Sequence, residues 1–320
     1  MVRVAKRVLH GVVLLFGVSV LTFALLSAAP GNLFDELKLN PQISPETVTA
    51  LKAEYGVDRP WLMRYASWTG SALRGDFGYS LSYRCPVGKL LWPRVRNTLL
   101  LTVLATLLSW MIALPWGMFE AVRRGQWIDR VGGGITATLL AIPELVLGLL
   151  LLLLAARTGW FPAGGMLSTN AGDATVARNA WDLLRHLMLP VIALALGSAP
   201  LLIRYVRSAI ASAMDMPFVE IARSHGISPS RIVFRHALPA AANSLISLFG
   251  FSVGTLLSAS LLIEIILSWP GLGPLVLEAM LARDTYVVMA VVMLSAVFLI
   301  LGNVLADLLL YWSDPRIRAV

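Results

Sequence analysis

Six apolar runs, each about as long as a bilayer is thick, constrain this chain more than any other feature. They lie at about 8–28, 98–119, 131–156, 186–206, 245–267 and 287–312. Roughly 20 apolar residues in a helix cross the hydrocarbon core, where every backbone polar group must be satisfied within its own segment. Of the 320 residues 58% are hydrophobic and 14% charged, and mean hydropathy is +0.76. Soluble domains are less apolar and far more charged. The expectation is an all-α membrane protein with six transmembrane helices.

The net charge of +8 would suit nucleic acid, but the basic residues lie mostly in loops between apolar runs, where they set topology and touch headgroups. No nucleic-acid partner is expected; the lipid bilayer is. One side holds the N-terminus, the 120–130 loop, the loop after the fourth run and the C-terminus, with 13 basic residues against 4 on the other. Both termini are therefore expected in the cytoplasm and the segment before residue 98 outside, that long segment being left out of the count. The first run is read as a retained helix, although Ser27-Ala28-Ala29 has the small residues of a signal-peptidase site. The division is 1–28, N-terminus and first helix; 29–97, an external segment; and 98–320, a five-helix permease core including a cytoplasmic loop at 207–243. Cys85 is the only cysteine, so it forms no intrachain disulfide or cysteine metal cluster. Gly75 and Gly78 read as tight turns, since no strand precedes them and no Lys-Ser/Thr follows.

Met216–Pro239 is the one long polar insertion between apolar runs on the cytoplasmic side. It predicts two short helices. Asp215 can cap the first, and Pro217 suits the first helical position. Phe218, Ile221 and Ala222 then share one apolar face, and Gly226 stops the helix. Ser228 and Pro229 repeat the start signal, and Pro239 closes the second helix. Such a helix either lies on headgroups or docks against a partner protein.

Glu220-Ile221-Ala222, Gly226 and Leu238-Pro239 resemble the EAA loop of bacterial ABC importer permeases: Glu-Ala-Ala, three residues, Gly, nine residues, Ile, one residue, Leu-Pro. Ile221 replaces the first Ala and His236 the Ile. Phe218-Val219, Arg223 and Arg235-His236-Ala237 extend the likeness toward the dipeptide, oligopeptide and nickel branch. So do Tyr55–Pro60, Gly75–Ser80, Trp269–Gly273 and Asp314–Arg318. The resemblance implies the type I importer permease fold and a cell inner (cytoplasmic) membrane location. Pro217, Phe218, Glu220, Ile221, Ala222, Arg223, Gly226, Leu238 and Pro239 would form the coupling helix and loop that meet the ATPase. The implied partners are a second homologous permease, two ATP-binding subunits and an extracytoplasmic solute-binding protein. ATP and magnesium would sit on the partner subunits and no cofactor on this chain. Peptides are the expected solute, with nickel or other small solutes compatible.

Among residues inside the runs, Glu144 follows Pro143 at a depth where a lipid-facing carboxylate costs a few kcal/mol. It fits either a cavity wall meeting a cationic part of the solute or a glutamate satisfied by backbone at the proline break. Glu264, Trp269 and Asp307 are further candidates for the translocation pathway, with bundle hydrogen bonds the competing role for the two acids and interfacial anchoring for Trp269. The four histidines fall on different elements without ligand spacing, so no metal site is expected. No Walker, Ser-His-Asp or His-Glu-x-x-His pattern occurs, and the chain is not expected to be an enzyme. The alternative function is a gradient-driven secondary transporter without ATPase partners, using Glu144 as an ion site.

Overall fold

The computed structural model describes residues 2–29, 44, 46, 59–168 and 176–313. The 55–58 part of the aromatic string and the tail string Asp314–Arg318 lie outside the described residues. In chain order the elements are α1 (Val2–Ala28), α2 (Trp61–Ala72), the two-stranded antiparallel hairpin β1 (Tyr79–Ser80) and β2 (Cys85–Pro86), α3 (Val87–Val122), α4 (Trp127–Ala141), α5 (Glu144–Thr158), α6 (Val176–Met214), α7 (Pro217–Ser224), α8 (Pro229–Ile266), α9 (Leu272–Leu281) and α10 (Thr285–Ser313). Leu9–Ala28, α3, α6, α8 and α10 are long and apolar enough to cross a membrane, and α4 with α5, bent by 95°, is a broken span or a re-entrant pair, a sixth span if counted as one.

The chain divides into two compact units, Met1–Asn97 with Gly271–Phe298 and Thr98–Pro270 with Leu299–Val320. In the first, α2 lies along the second half of α1. The Tyr65 and Ser19 hydroxyls share a hydrogen bond of 2.7 Å, and the Phe23 ring meets Tyr65 edge-on. Trp68 and Met289 complete this core with Phe23. Asp284 gathers the hairpin: its carboxylate accepts from the Ser80 hydroxyl at 2.6 Å and caps the start of α10 through the Val287 N–H. Gly75 and Gly78 take positive φ, so the Gly-Asp-Phe-Gly string is a turn.

In the second unit α6 is the most enclosed of the spans. Leu101 and Ala105 of α3, Ala155 of α5, Leu187 and Leu194 of α6 and Leu256 and Ile263 of α8 form one core. With lipid as apolar as leucine, close approach and interhelical hydrogen bonds hold such helices together. Ser109 and Ser198 bond at 2.8 Å, and the Trp110 indole N–H donates to Ser252 at 2.9 Å. Gly250 and Gly254, one helical turn apart, admit α10: a Cβ at Gly250 would stand 2.0 Å from the Ala306 Cβ, and one at Gly254 2.4 Å from a Leu299 methyl.

One expected span is bent, and two expectations are corrected. The run at 131–156 is not a straight span: Ile142 and Pro143 are extended, and a proline disfavours helix in the residue before it. The span helix expected from 98 begins at Val87, so the last part of the expected external segment is helical and continuous with it. Pro239 does not close a second short helix. The chain passes from Pro229–Ile232 through a π turn, Val233–Ala237, straight into Leu238–Ile266. Proline has no N–H to give, and its ring presses on the carbonyl four residues back. The π turn, with the Leu238 N–H reaching Val233 O, widens the helix at that point.

Candidate functional site

The α7 helix is built by local signals. Met216 is extended and Pro217 takes the first helical position. Its far end is a Schellman turn: Ile227 N–H bonds Ala222 O at 3.2 Å, Gly226 N–H bonds Arg223 O at 2.9 Å, and Gly226 has φ +73°. This pattern satisfies the last carbonyls and needs a left-handed residue. Asp215 does not cap α7, contrary to expectation; its carboxylate accepts from Arg124 at 2.9 Å. Glu220 stands in the first turn and Arg223 in the last, which matches the helix dipole at both ends.

The apolar face of α7 is rotated from the expected one. Val219 (0% exposed) and Ala222 (6%) turn inward onto Ile232, with Ile227 and Met214 beside them. Phe218 is 37% and Ile221 60% exposed. Glu220, Arg223, Gly226 and Pro239 are exposed, and Leu238 is half-buried. Of the expected contact residues, Ala222 therefore serves to seat α7. Phe218, Glu220, Ile221 and Arg223 form its free surface. The Phe218 ring leans toward His236 of the π turn at 6.4 Å, tying α7 to the start of α8.

The four pathway candidates do not converge. Glu144 is the first residue of α5, half-buried at the bend, with its carboxylate against Gly197 of α6. There the N-terminal end of α5 supplies the positive dipole that a carboxylate at this depth needs. Glu264 and Trp269 are fully buried, Trp269 within the core of its unit, so its ring is no surface anchor. Asp307 is half-buried on α10. None of them lines the groove of about 540 Å³ between α6 and α8, which Tyr205, Ser208, Ser212, Ser244 and Ser247 line.

That groove continues a polar stripe missed in the sequence. Asn243, Ser244, Ser247, Thr255 and Ser258 all lie exposed on α8, interrupted by the exposed Phe251, while Leu245, Leu256, Leu257 and Ile263 face inward. Thr255 already donates to the Phe251 and Ser252 carbonyls of its own helix, and a face with this many polar groups is better matched to water or a partner than to hydrocarbon. The signal was available as hydroxyls and an amide at helical spacing within the 245–267 run and just before it.

Residues 113–319 match the family model described as the binding-protein-dependent transport system inner membrane component, and residues 1–104 match that of its N-terminal part. The oligopeptide transport system permease protein AppB of Bacillus subtilis is 35% identical over 98% of both chains. The dipeptide transport system permease protein DppB of Escherichia coli is 33% identical over 94% of both. Among solved structures, the inward-facing MetNI methionine ABC transporter shares the fold, with a TM-score of 0.54 and 21% identity over 70% of this chain and 96% of the other.

Proposed function

The chain belongs to the family of binding-protein-dependent transport system inner membrane components, and from that membership we propose that it forms half of the translocation pathway of an ATP-driven peptide importer. It is a permease subunit rather than an enzyme, as its relatives are. Di- or oligopeptides are the proposed solutes, from the names of those relatives. The proposed partners are a second homologous permease, two ATP-binding subunits that hold ATP and magnesium, and an extracytoplasmic solute-binding protein. Both termini and α7 face the cytoplasm, a reading supported by the basic residues concentrated on that side.

One observation carries the mechanism. A short helix is seated by Val219 and Ala222 while Phe218 and Ile221 stand free beside Glu220 and Arg223. An apolar pair rimmed by opposite charges is the surface a protein cleft accepts. ATP-driven closure of the ATPase pair draws the coupling helices together and switches the cavity by rigid-body movement. The hydroxyl face of α8 and its groove with α6 line the route.

The test is co-purification followed by transport. Ile221→Asp should leave the chain inserted, strip the ATP-binding subunits from it in mild detergent and lower ATP-dependent uptake at least about tenfold, some 1.4 kcal/mol of coupling. Uptake driven by an ion gradient in liposomes holding this chain alone would instead establish the secondary-transporter alternative.

A further inference from the structure

Two ion pairs of opposite polarity join the turn after α3 to the end of α6. Arg207 of α6 grips Asp129 of α4 in fork geometry, Nε to Oδ1 at 2.6 Å and Nη2 to Oδ2 at 2.8 Å. Asp129 also accepts from the Gly125 N–H at 2.8 Å, so one carboxylate both closes the turn and holds α6. Just past the end of α6 the signs reverse: Asp215 accepts from Arg124 of the turn before α4. The two pairs bear unequally on the end of α6. The inner pair carries the constraint, since Asp129 is buried and charge-assisted bidentate bonds are the strong ones. The outer pair is exposed on both sides and weak alone.

The surroundings leave no slack. Gly117 brings α3 onto α6, where a Cβ would meet Val206 at 2.8 Å. Gly132 brings α4 onto α3, where a Cβ would lie 1.9 Å from the Glu120 carboxylate, itself held by the Trp116 indole. Arg207 is one of the basic residues that topology alone would send to lipid headgroups. Its guanidinium is instead committed inward. Pro217, the first residue of α7, follows Asp215 by two positions.

We propose that Asp129 and Arg207 are a positioning pair that locks the start of α4 to α6 upstream of α7, so that a displacement of α7 carried back along α6 is passed to α4 and, through the turn that Asp129 closes, to α3. The pair touches no solute and no nucleotide; it sets how much of the ATPase movement reaches the spans. This rests on the reading of α7 as the ATPase contact.

The experiment uses the complete importer in proteoliposomes, reading labelled trialanine taken up per ATP hydrolysed. Asp129→Asn leaves Arg207 with only the neighbouring Glu120, and Arg207→Gln leaves the Asp129 and Glu120 carboxylates without the cation they share. The double variant D129N/R207Q removes both charges and keeps an amide pair that can still bond. The expected result is that variants retaining the ATP-binding subunits hydrolyse ATP but take up at least tenfold less peptide per ATP, with the double variant no better than the singles in this ratio even where it is more abundant. Wild-type uptake per ATP in every assembled variant overturns the proposal. So does failure of all three variants to insert, which makes the pair a folding element. Failure of the wild-type importer to take up trialanine with ATP, or an Ile221→Asp variant that transports normally, strikes the underlying reading and not the pair.

Discussion

At Gly226 the backbone sets the requirement and the surroundings do not. A Cβ there would meet nothing within 4 Å, yet φ is +73°, a conformation that costs an L-residue about 1–2 kcal/mol. Gly226→Asn, which tolerates that region, should keep near-normal uptake. Gly226→Val should insert normally and lose uptake relative to ATP hydrolysis, because the Schellman turn that aims α7 opens. Normal uptake in the valine variant would show that this turn does not aim the helix. Pro217 and Gly226 were legible in the sequence for this reason: each acts through its own backbone. Asp215 was not, because a polar residue before a proline has several uses and its partner Arg124 lies 91 residues away. The inward face of α7 was missed similarly. Five of its eight residues are apolar, and which of them turn inward depends on where Ile232 lies.

Between elements, the same distinction separates what local pattern reveals from what packing adds. Apolar length located the five long spans and the bent pair α4–α5, since a span satisfies its own backbone whatever its neighbours do. The bend at Ile142–Pro143 and the π turn before Pro239 needed neighbours, because a proline in a long apolar run can end a helix, kink it or be absorbed. The contact of α8 with α10 shows how narrow such packing is. Gly250→Ala would set its new methyl 2.0 Å from the Ala306 Cβ, and overpacking of this kind costs roughly 1–3 kcal/mol. The variant should unfold at a lower temperature in detergent, and adding Ala306→Gly should restore part of the loss. Equal melting of Gly250→Ala and wild type would mean that α8 and α10 are not in contact there.

For the molecule as a whole, the acids that stood out in the sequence, Glu144, Glu264 and Asp307, do not line the groove between α6 and α8. Glu264 is fully buried and Glu144 is tucked against Gly197 at a helix N-terminus, so both are used in holding the fold. Part of the exposed polar surface within the spans is a set of small hydroxyls on α8, beside Tyr205, Ser208 and Ser212 of α6, each too ordinary to stand out by residue type. Hydroxyls offer donors and acceptors without fixed charge. They suit a route that must pass backbone amides of many peptides and bind none tightly, since a tightly held solute would not leave. Filling the groove should then block passage and spare the motor. Ser244→Trp and Ser247→Trp should each cut peptide uptake about tenfold or more, a barrier of ~1.4 kcal/mol, with the ATP-binding subunits still attached and ATP hydrolysis continuing. Leu153→Trp, on an exposed apolar face of α5, is the matched control and should transport normally. If the tryptophans at 244 and 247 transport as well as the one at 153, the solute does not pass along α8, and the hydroxyl stripe is a contact surface for the second permease.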